Sequence, residues 1–132
     1  MSFTPRKPVV AVVDDDPNML ESLQDLLESE GYAAPSFSSA GSLLDRGLAG
    51  LDVLITDVGM PVMDGFELRE LARIERPELP VFLLTGRHEI VDQKRAQGAD
   101  GCFCKPFDAK ALLAAVGEVL RGRQSEPGNV PQ

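Results

Sequence analysis

Pro8-Val9-Val10-Ala11-Val12-Val13-Asp14-Asp15-Asp16-Pro17 joins a strand signal to a helix signal within ten residues. Its first half is an unbroken apolar, β-branched run, the composition of a strand covered on both faces. Its second half turns abruptly acidic. Asp16 stands where a helix N-cap is wanted and Pro17 where the first helical residue is wanted, since proline has no N–H to leave unpaired there. Leu20, Leu23, Leu26 and Leu27 then recur at helical spacing until Gly31 stops them.

The same alternation continues along the chain. Tyr32 to Phe37 is expected as a second strand, pushed to a sheet edge because Pro35 lacks a ladder donor. Ser38 or Ser39 caps a short helix with Leu43 and Leu44, and Asp52-Val-Leu-Ile-Thr56 is a third strand with Asp57 directly after it. Phe66, Leu68, Leu71 and Ile74 mark a third helix, and Pro77 and Pro80 bracket the turn into a fourth strand, Val81 to Leu84, closed by Thr85 and Gly86. Glu89 to Gln97 reads as a polar helix ended by Gly98. Cys102-Phe-Cys104 is a short fifth strand running into Lys105-Pro106, and Asp108 caps a last helix with Leu112, Leu113, Val116, Val119 and Leu120 on one face. Strands alternating with helices give right-handed crossovers, a parallel sheet and an α/β fold with helices on both faces.

Composition bounds the function. The 132 residues make one domain, residues 1–122, and from Arg121 the composition shifts so that 123–132 read as a disordered tail or a severed linker. The formal charge of −8 argues against direct contact with nucleic acid or anionic lipid. No apolar run approaches the roughly 18 residues a membrane span needs, and no signal-peptide core follows Met1, so a cytoplasmic protein is expected. Cys102 and Cys104 have poor disulfide spacing, and a single histidine cannot complete a zinc shell; reduced, packed thiols are expected.

In a parallel sheet every strand ends on the same edge, and ligands bind outside that edge. Four strands deliver polar groups there: Asp14, Asp15 and Asp16, then Asp57, then Thr85, then Lys105. Gathered carboxylates repel one another, and hard oxygen donors are what Mg²⁺ requires. A carboxylate beside that metal can attack phosphorus, with the threonine hydroxyl and lysine ammonium holding the phosphoryl oxygens. Asp16 is read as a cap and given no such role. Any one of these residues alone has a plain structural explanation; their coincidence on one rim weakens it.

Val13-Asp14-Asp15-Asp16-Pro17, Leu54-Ile-Thr-Asp57-Val-Gly-Met-Pro61-Val-Met-Asp-Gly65, Leu84-Thr85-Gly86 and Lys105-Pro106-Phe107 together resemble the receiver domain of two-component response regulators, from about Pro8 to Leu120. The resemblance implies a five-stranded flavodoxin-like fold of strand order 2-1-3-4-5. It implies Asp57 as phosphoacceptor, Thr85 as switch hydroxyl and Lys105 as phosphate-binding lysine. Mg²⁺ would be held by Asp14, Asp15, Asp57 and the backbone carbonyl of Gly59. The Lys105-Pro106 bond resembles one that is often cis in this family. A histidine kinase or phosphotransfer protein would be the donor, an unknown downstream protein the reader, and the only reactions catalysed would be the domain's own phosphorylation and dephosphorylation; whether it dimerises stays open.

Two features depart from the family. Cys102 occupies the switch position where receivers carry Tyr or Phe, with Phe103 on the opposite strand face, and the stretch from Thr85 to Lys105 is slightly short. A small thiol contributes little energy to a rotamer flip, so phosphorylation is expected to move the Thr85 loop and Arg87 to Gln97 as backbone. Arg87 resembles a position that tunes dephosphorylation. His88 reads as a solvated loop residue, Met60 and Met63 as local packing, and Gly65 as a turn needing positive φ. The alternative activity is a haloacid-dehalogenase-type phosphatase, for which Asp14-x-Asp16 superficially supplies the first motif but the chain lacks length for a cap domain. A degenerate receiver serving only as a scaffold is disfavoured by the full acidic, hydroxyl and lysine set.

Overall fold

The computed structural model describes residues 7–86 and 101–125, with side chains described through Gly122. In chain order the elements are β1 (Val10–Val13), α1 (Pro17–Ser29), β2 (Ser36–Phe37), α2 (Ala40–Arg46), β3 (Val53–Asp57), α3 (Gly65–Glu75), β4 (Val81–Thr85), β5 (Gly101–Cys104) and α4 (Ala109–Ser125). All five strands pair in parallel, in the order β2-β1-β3-β4-β5. The expected α/β fold and strand order are therefore those observed.

Strand alternation divides the core into two halves. Val10, Val12, Val53, Ile55, Phe82 and Leu84 pack against Leu23 and Leu27 of α1 and Leu112, Val116 and Leu120 of α4. The intervening Ala11, Val13, Leu54 and Leu83 meet Leu43 of α2 and Phe66, Leu68 and Ala72 of α3. Successive strand residues thus face opposite helical layers, which is why the run Val9 to Val13 has no polar position to spare. Met60 is buried in the second half and Met63 packs on its margin, as local packing requires.

Caps fix where each helix begins. The Asp16 carboxylate accepts the Asn18 amide at 3.0 Å, with Pro17 first in α1. Ser39 accepts from Ser42 at 3.1 Å, and Asp64 and Glu67 form a reciprocal capping box on α3. Gly31 and Gly47, at φ of 91° and 92°, terminate α1 and α2 in the left-handed region that a side chain resists.

Several expectations need correction. The second strand is only Ser36–Phe37, preceded by an isolated bridge between Val9 and Ala33. Pro35 lends its carbonyl to the Val12 amide at 3.0 Å but has no N–H to return, so the ladder is one-sided there. Leu71 and Ile74 are not on the buried face of α3: they are 37% and 78% exposed. Gly65, Leu68, Arg69 and Ala72 form the buried stripe instead, and at 100° per residue Ile74 lies about 180° from Gly65. Gly65 does not have positive φ; the residue in that region is Val62, at φ 70°. Cys102 and Cys104 are free thiols but exposed rather than packed, because Phe103 takes the inward position against Phe82 at a ring separation of 6.1 Å. The α4 helix runs to Ser125, and the expectations for Arg87, His88 and the helix over Glu89 to Gln97 lie outside the described residues.

Candidate functional site

The chemistry collects at the carboxyl ends of β1, β3 and β5. Register decides which groups meet. Asp14 continues the alternation of Val10 and Val12, Asp57 that of Val53 and Ile55, and Lys105 that of Phe103, so all three fall on the same side of the sheet. The Lys105 amide donates to the Thr85 carbonyl at 2.7 Å, extending the β4–β5 ladder by one residue and fixing the lysine's origin. The Lys105-Pro106 peptide is cis.

Lys105 Nζ lies 2.8 Å from Asp57 Oδ1 and 3.2 Å from Asp14 Oδ2. Both carboxylates are buried, while the lysine side chain keeps 24% of its exposure, so the ammonium closes the crevice from the solvent side. Asp14 Oδ1 accepts the Asp16 amide at 2.9 Å. Burial, reinforced by the charge of Asp57, raises the Asp14 carboxyl above its ordinary range despite that bond and Lys105. For Lys105 burial pulls downward, but the hydrogen bond to Asp57 and the two carboxylate charges outweigh it and the ammonium sits above its ordinary value. A carboxylate pair sharing one cation is an arrangement with more negative charge than it has compensated.

That surplus bears on the metal. Asp14, Asp15 and Asp57 each present a carboxylate oxygen within 4.8 Å of the others, with Asp15 exposed at the mouth. The donor set is hard oxygen throughout, suited to Mg²⁺ and not to a soft ion. Gly59 is exposed two residues past Asp57. Asp16, by contrast, spends its carboxylate on the α1 cap, so an Asp14-x-Asp16 pair is not delivered to the crevice.

Thr85 does not join this group. Its alternation follows Val81 and Leu83 to the other face, and its hydroxyl, 1% exposed, has no oxygen or nitrogen partner among the described residues. Cys102, one strand over, carries its thiol on that same face. Burial raises that thiol above its ordinary value, with the Thr85 hydroxyl acting in the opposite direction.

The sequence reading missed what holds the loop after β3. Gly65 donates its amide to the Val58 carbonyl at 3.0 Å, and a Cβ there would stand 2.4 Å from the Asp57 carbonyl oxygen. The start of α3 therefore rests directly on the backbone of Asp57 and Val58. The signal was present as Asp64-Gly65: a capping residue followed by the one residue that permits such an approach.

Comparison with known proteins bears on the same residues. The family model of the response regulator receiver domain matches residues 10–117. The transcriptional regulatory protein FixJ of Azorhizobium caulinodans is 39% identical over 123 residues, covering 90% of this chain and 57% of FixJ. The transcriptional regulatory protein CreB of Escherichia coli K12 is 35% identical over 119 residues, covering 88% of this chain and 52% of CreB. The chain spans about half the length of these curated relatives. Among solved structures, the CheY-like receiver domain protein of Methanospirillum hungatei JF-1 superposes with a TM-score of 0.80 at 28% identity, over 92% of this chain and all of that one. With four fifths of its length matched by the family model and a sheet of the same order, this chain belongs to the response regulator receiver domain family.

Proposed function

We propose that the chain is a phosphorylation-operated signalling module that accepts a phosphoryl group on Asp57 from a histidine kinase or phosphotransfer protein in the cytoplasm. The observation that carries this reading is the Lys105 ammonium shared between Asp57 at 2.8 Å and Asp14 at 3.2 Å, at the mouth of a three-carboxylate crevice. In the transfer, an Asp57 carboxylate oxygen forms a bond to phosphorus as the bond from phosphorus to the donor nitrogen breaks and the imidazole leaves. Lys105 balances charge on the transferred oxygens from the position it already holds beside Asp57. Asp14, Asp15, Asp57 and the Gly59 carbonyl would hold Mg²⁺, whose contribution when bound is to neutralise charge developing on the phosphoryl group.

Thr85 acts as the responding hydroxyl: buried and lacking an oxygen or nitrogen partner, it gains a hydrogen bond by turning to a phosphoryl oxygen. Cys102 sits at the switch position, and what changes is a binding surface read by a downstream protein. The chain has no substrate other than its own acceptor. A haloacid-dehalogenase-type phosphatase is not favoured, since Asp16 is committed to the α1 cap. Incubation with a small-molecule phosphodonor tests the reading. One phosphoryl mass per chain is expected with Mg²⁺ and none with the metal chelated; catalytic release of phosphate from monoesters without a labelled protein would overturn it.

A further inference from the structure

Thr56 is fully buried, and strand alternation sets it on the opposite face from Asp57, between Leu54 and Val58 in the half-core that also holds Phe66 and Leu83. A hydroxyl in such surroundings costs free energy unless it is bonded, and valine would fill the same volume with no polar atom to satisfy. The Thr56 hydroxyl donates to the Asp57 carbonyl at 3.0 Å. That oxygen lies past the last β1–β3 pair, Val13 with Thr56. The same oxygen is approached from α3, where Gly65 comes so close that a Cβ would stand 2.4 Å from it. The next carbonyl along, that of Val58, accepts the Met60 and Gly65 amides, both at 3.0 Å. The Asp57 carbonyl carbon is bonded to the Cα that carries the carboxylate. Fixing its oxygen therefore fixes the peptide plane from which the side chain projects toward Lys105.

We propose that Thr56 is a positioning residue for phosphoryl acceptance: its hydroxyl, acting through the Asp57 carbonyl, keeps the Asp57 carboxylate aimed at the incoming phosphorus. The inference rests on Asp57 being the acceptor and adds to it a residue on the far face of the sheet, away from the phosphoryl group and the metal. A hydrogen bond of ordinary net strength biases a two-state equilibrium by about two- to tenfold, so its loss lets Asp57 spend more time in poses that do not attack.

Initial rates of labelling of the full chain by acetyl phosphate with Mg²⁺ test this, each transfer moving one phosphoryl group to Asp57 and releasing acetate. Thr56→Val deletes the hydroxyl and keeps the side-chain volume, Thr56→Ser keeps the hydroxyl and deletes the methyl, and Thr56→Ala deletes both. Thr56→Val should label about two- to tenfold more slowly than the wild type, and Thr56→Ala more slowly than Thr56→Ser by a similar factor. Thr56→Ser should label at close to the wild-type rate although its lost methyl lowers the urea midpoint. Far-ultraviolet circular dichroism checks that each variant is folded, and the comparison of Ser with Ala carries the test should Val fail to fold. Rates that follow the methyl instead of the hydroxyl, or that are equal in all folded variants, would overturn the positioning role. The two readings fail differently: an unlabelled wild type refutes acceptance at Asp57 and the positioning with it, whereas a labelled wild type matched by Thr56→Val refutes the positioning alone.

Discussion

Gly65→Ala asks whether the start of α3 buttresses the acceptor strand. The added Cβ would lie 2.4 Å from the Asp57 carbonyl oxygen, 2.8 Å from Val58 Cα and 3.0 Å from the Asp57 carbonyl carbon, where ordinary contact begins at 3.4 Å. Every atom it meets is backbone, so no side chain can swing aside, and the helix must back away by the ångström that is missing. That movement lengthens the Gly65 to Val58 hydrogen bond and shifts the peptide that carries Asp57. Overpacking of this kind costs about 1–3 kcal/mol. Alanine's better helix propensity returns less than about 1 kcal/mol, since the site is the first residue of the helix. A net loss of about 1–2 kcal/mol should appear in the urea midpoint, together with slower labelling of Asp57. Gly41→Ala is the control: its Cβ meets nothing nearer than Ser39 Oγ at 3.9 Å and its φ is not in the left-handed region. That variant should be neutral or gain up to about 0.5–1 kcal/mol. A Gly65→Ala protein as stable as the wild type, labelled at an equal rate, would refute the buttress.

Other outcomes follow from the same geometry. Mg²⁺ should raise the melting temperature by relieving carboxylate repulsion, with about 2.7 kcal/mol gained at a hundred times its dissociation constant, and Asp15→Asn should blunt the gain; a melt that ignores Mg²⁺ counts against the crevice as a metal site. Because the folded-state value of Lys105 is raised, its contribution is complete below the unfolded value of 10.5 and disappears as pH climbs through the folded one. The urea midpoint of the wild type should therefore fall more steeply than that of Lys105→Met above that pH, and parallel curves would contradict the pairing with Asp57 and Asp14. Leu112→Ala, fully buried in α4, should cost about 2–5 kcal/mol, whereas Ile74→Ser at the outer face of α3 should stay within about 0.5 kcal/mol by denaturant titration.

The sheet was legible because Val9 to Val13, Val53 to Ile55 and Val81 to Leu84 are apolar at every position, a pattern that only a strand covered on both faces tolerates. The identity of the strand-end residues was legible for the same reason, since a parallel sheet brings all its carboxyl ends to one edge. What the pattern did not resolve was the face. Thr85 was grouped with Asp57 and Lys105 by its rim position, yet the twofold alternation sends it to the other face of the sheet. Leu71 and Ile74 follow Leu68 at helical i+3 spacing, but the contact between Gly65 and β3 sets the rotation of α3 and turns them outward. Gly65 itself was misjudged because glycine serves both positive φ and close backbone approach, and sequence alone does not separate the two. The thiols were expected to be reduced and packed because their spacing suits no disulfide and a single histidine completes no zinc shell. On a four-residue edge strand Phe103 has the larger apolar surface and takes the inner face, leaving Cys102 and Cys104 outside.

Asp57 alone is expected to accept phosphorus. Fragmentation mass spectrometry of the protein after treatment with a small phosphodonor and Mg²⁺ tests it most directly, because the peptide from Gly47 to Arg69 holds Asp52, Asp57 and Asp64 together. Asp52 accepts the Val9 amide at 2.7 Å and Asp64 caps α3, so neither carboxylate stands in the crevice. The phosphoryl mass should map to Asp57, vanish in Asp57→Asn and persist in Asp64→Asn; label that remains in Asp57→Asn at the wild-type rate would contradict the account.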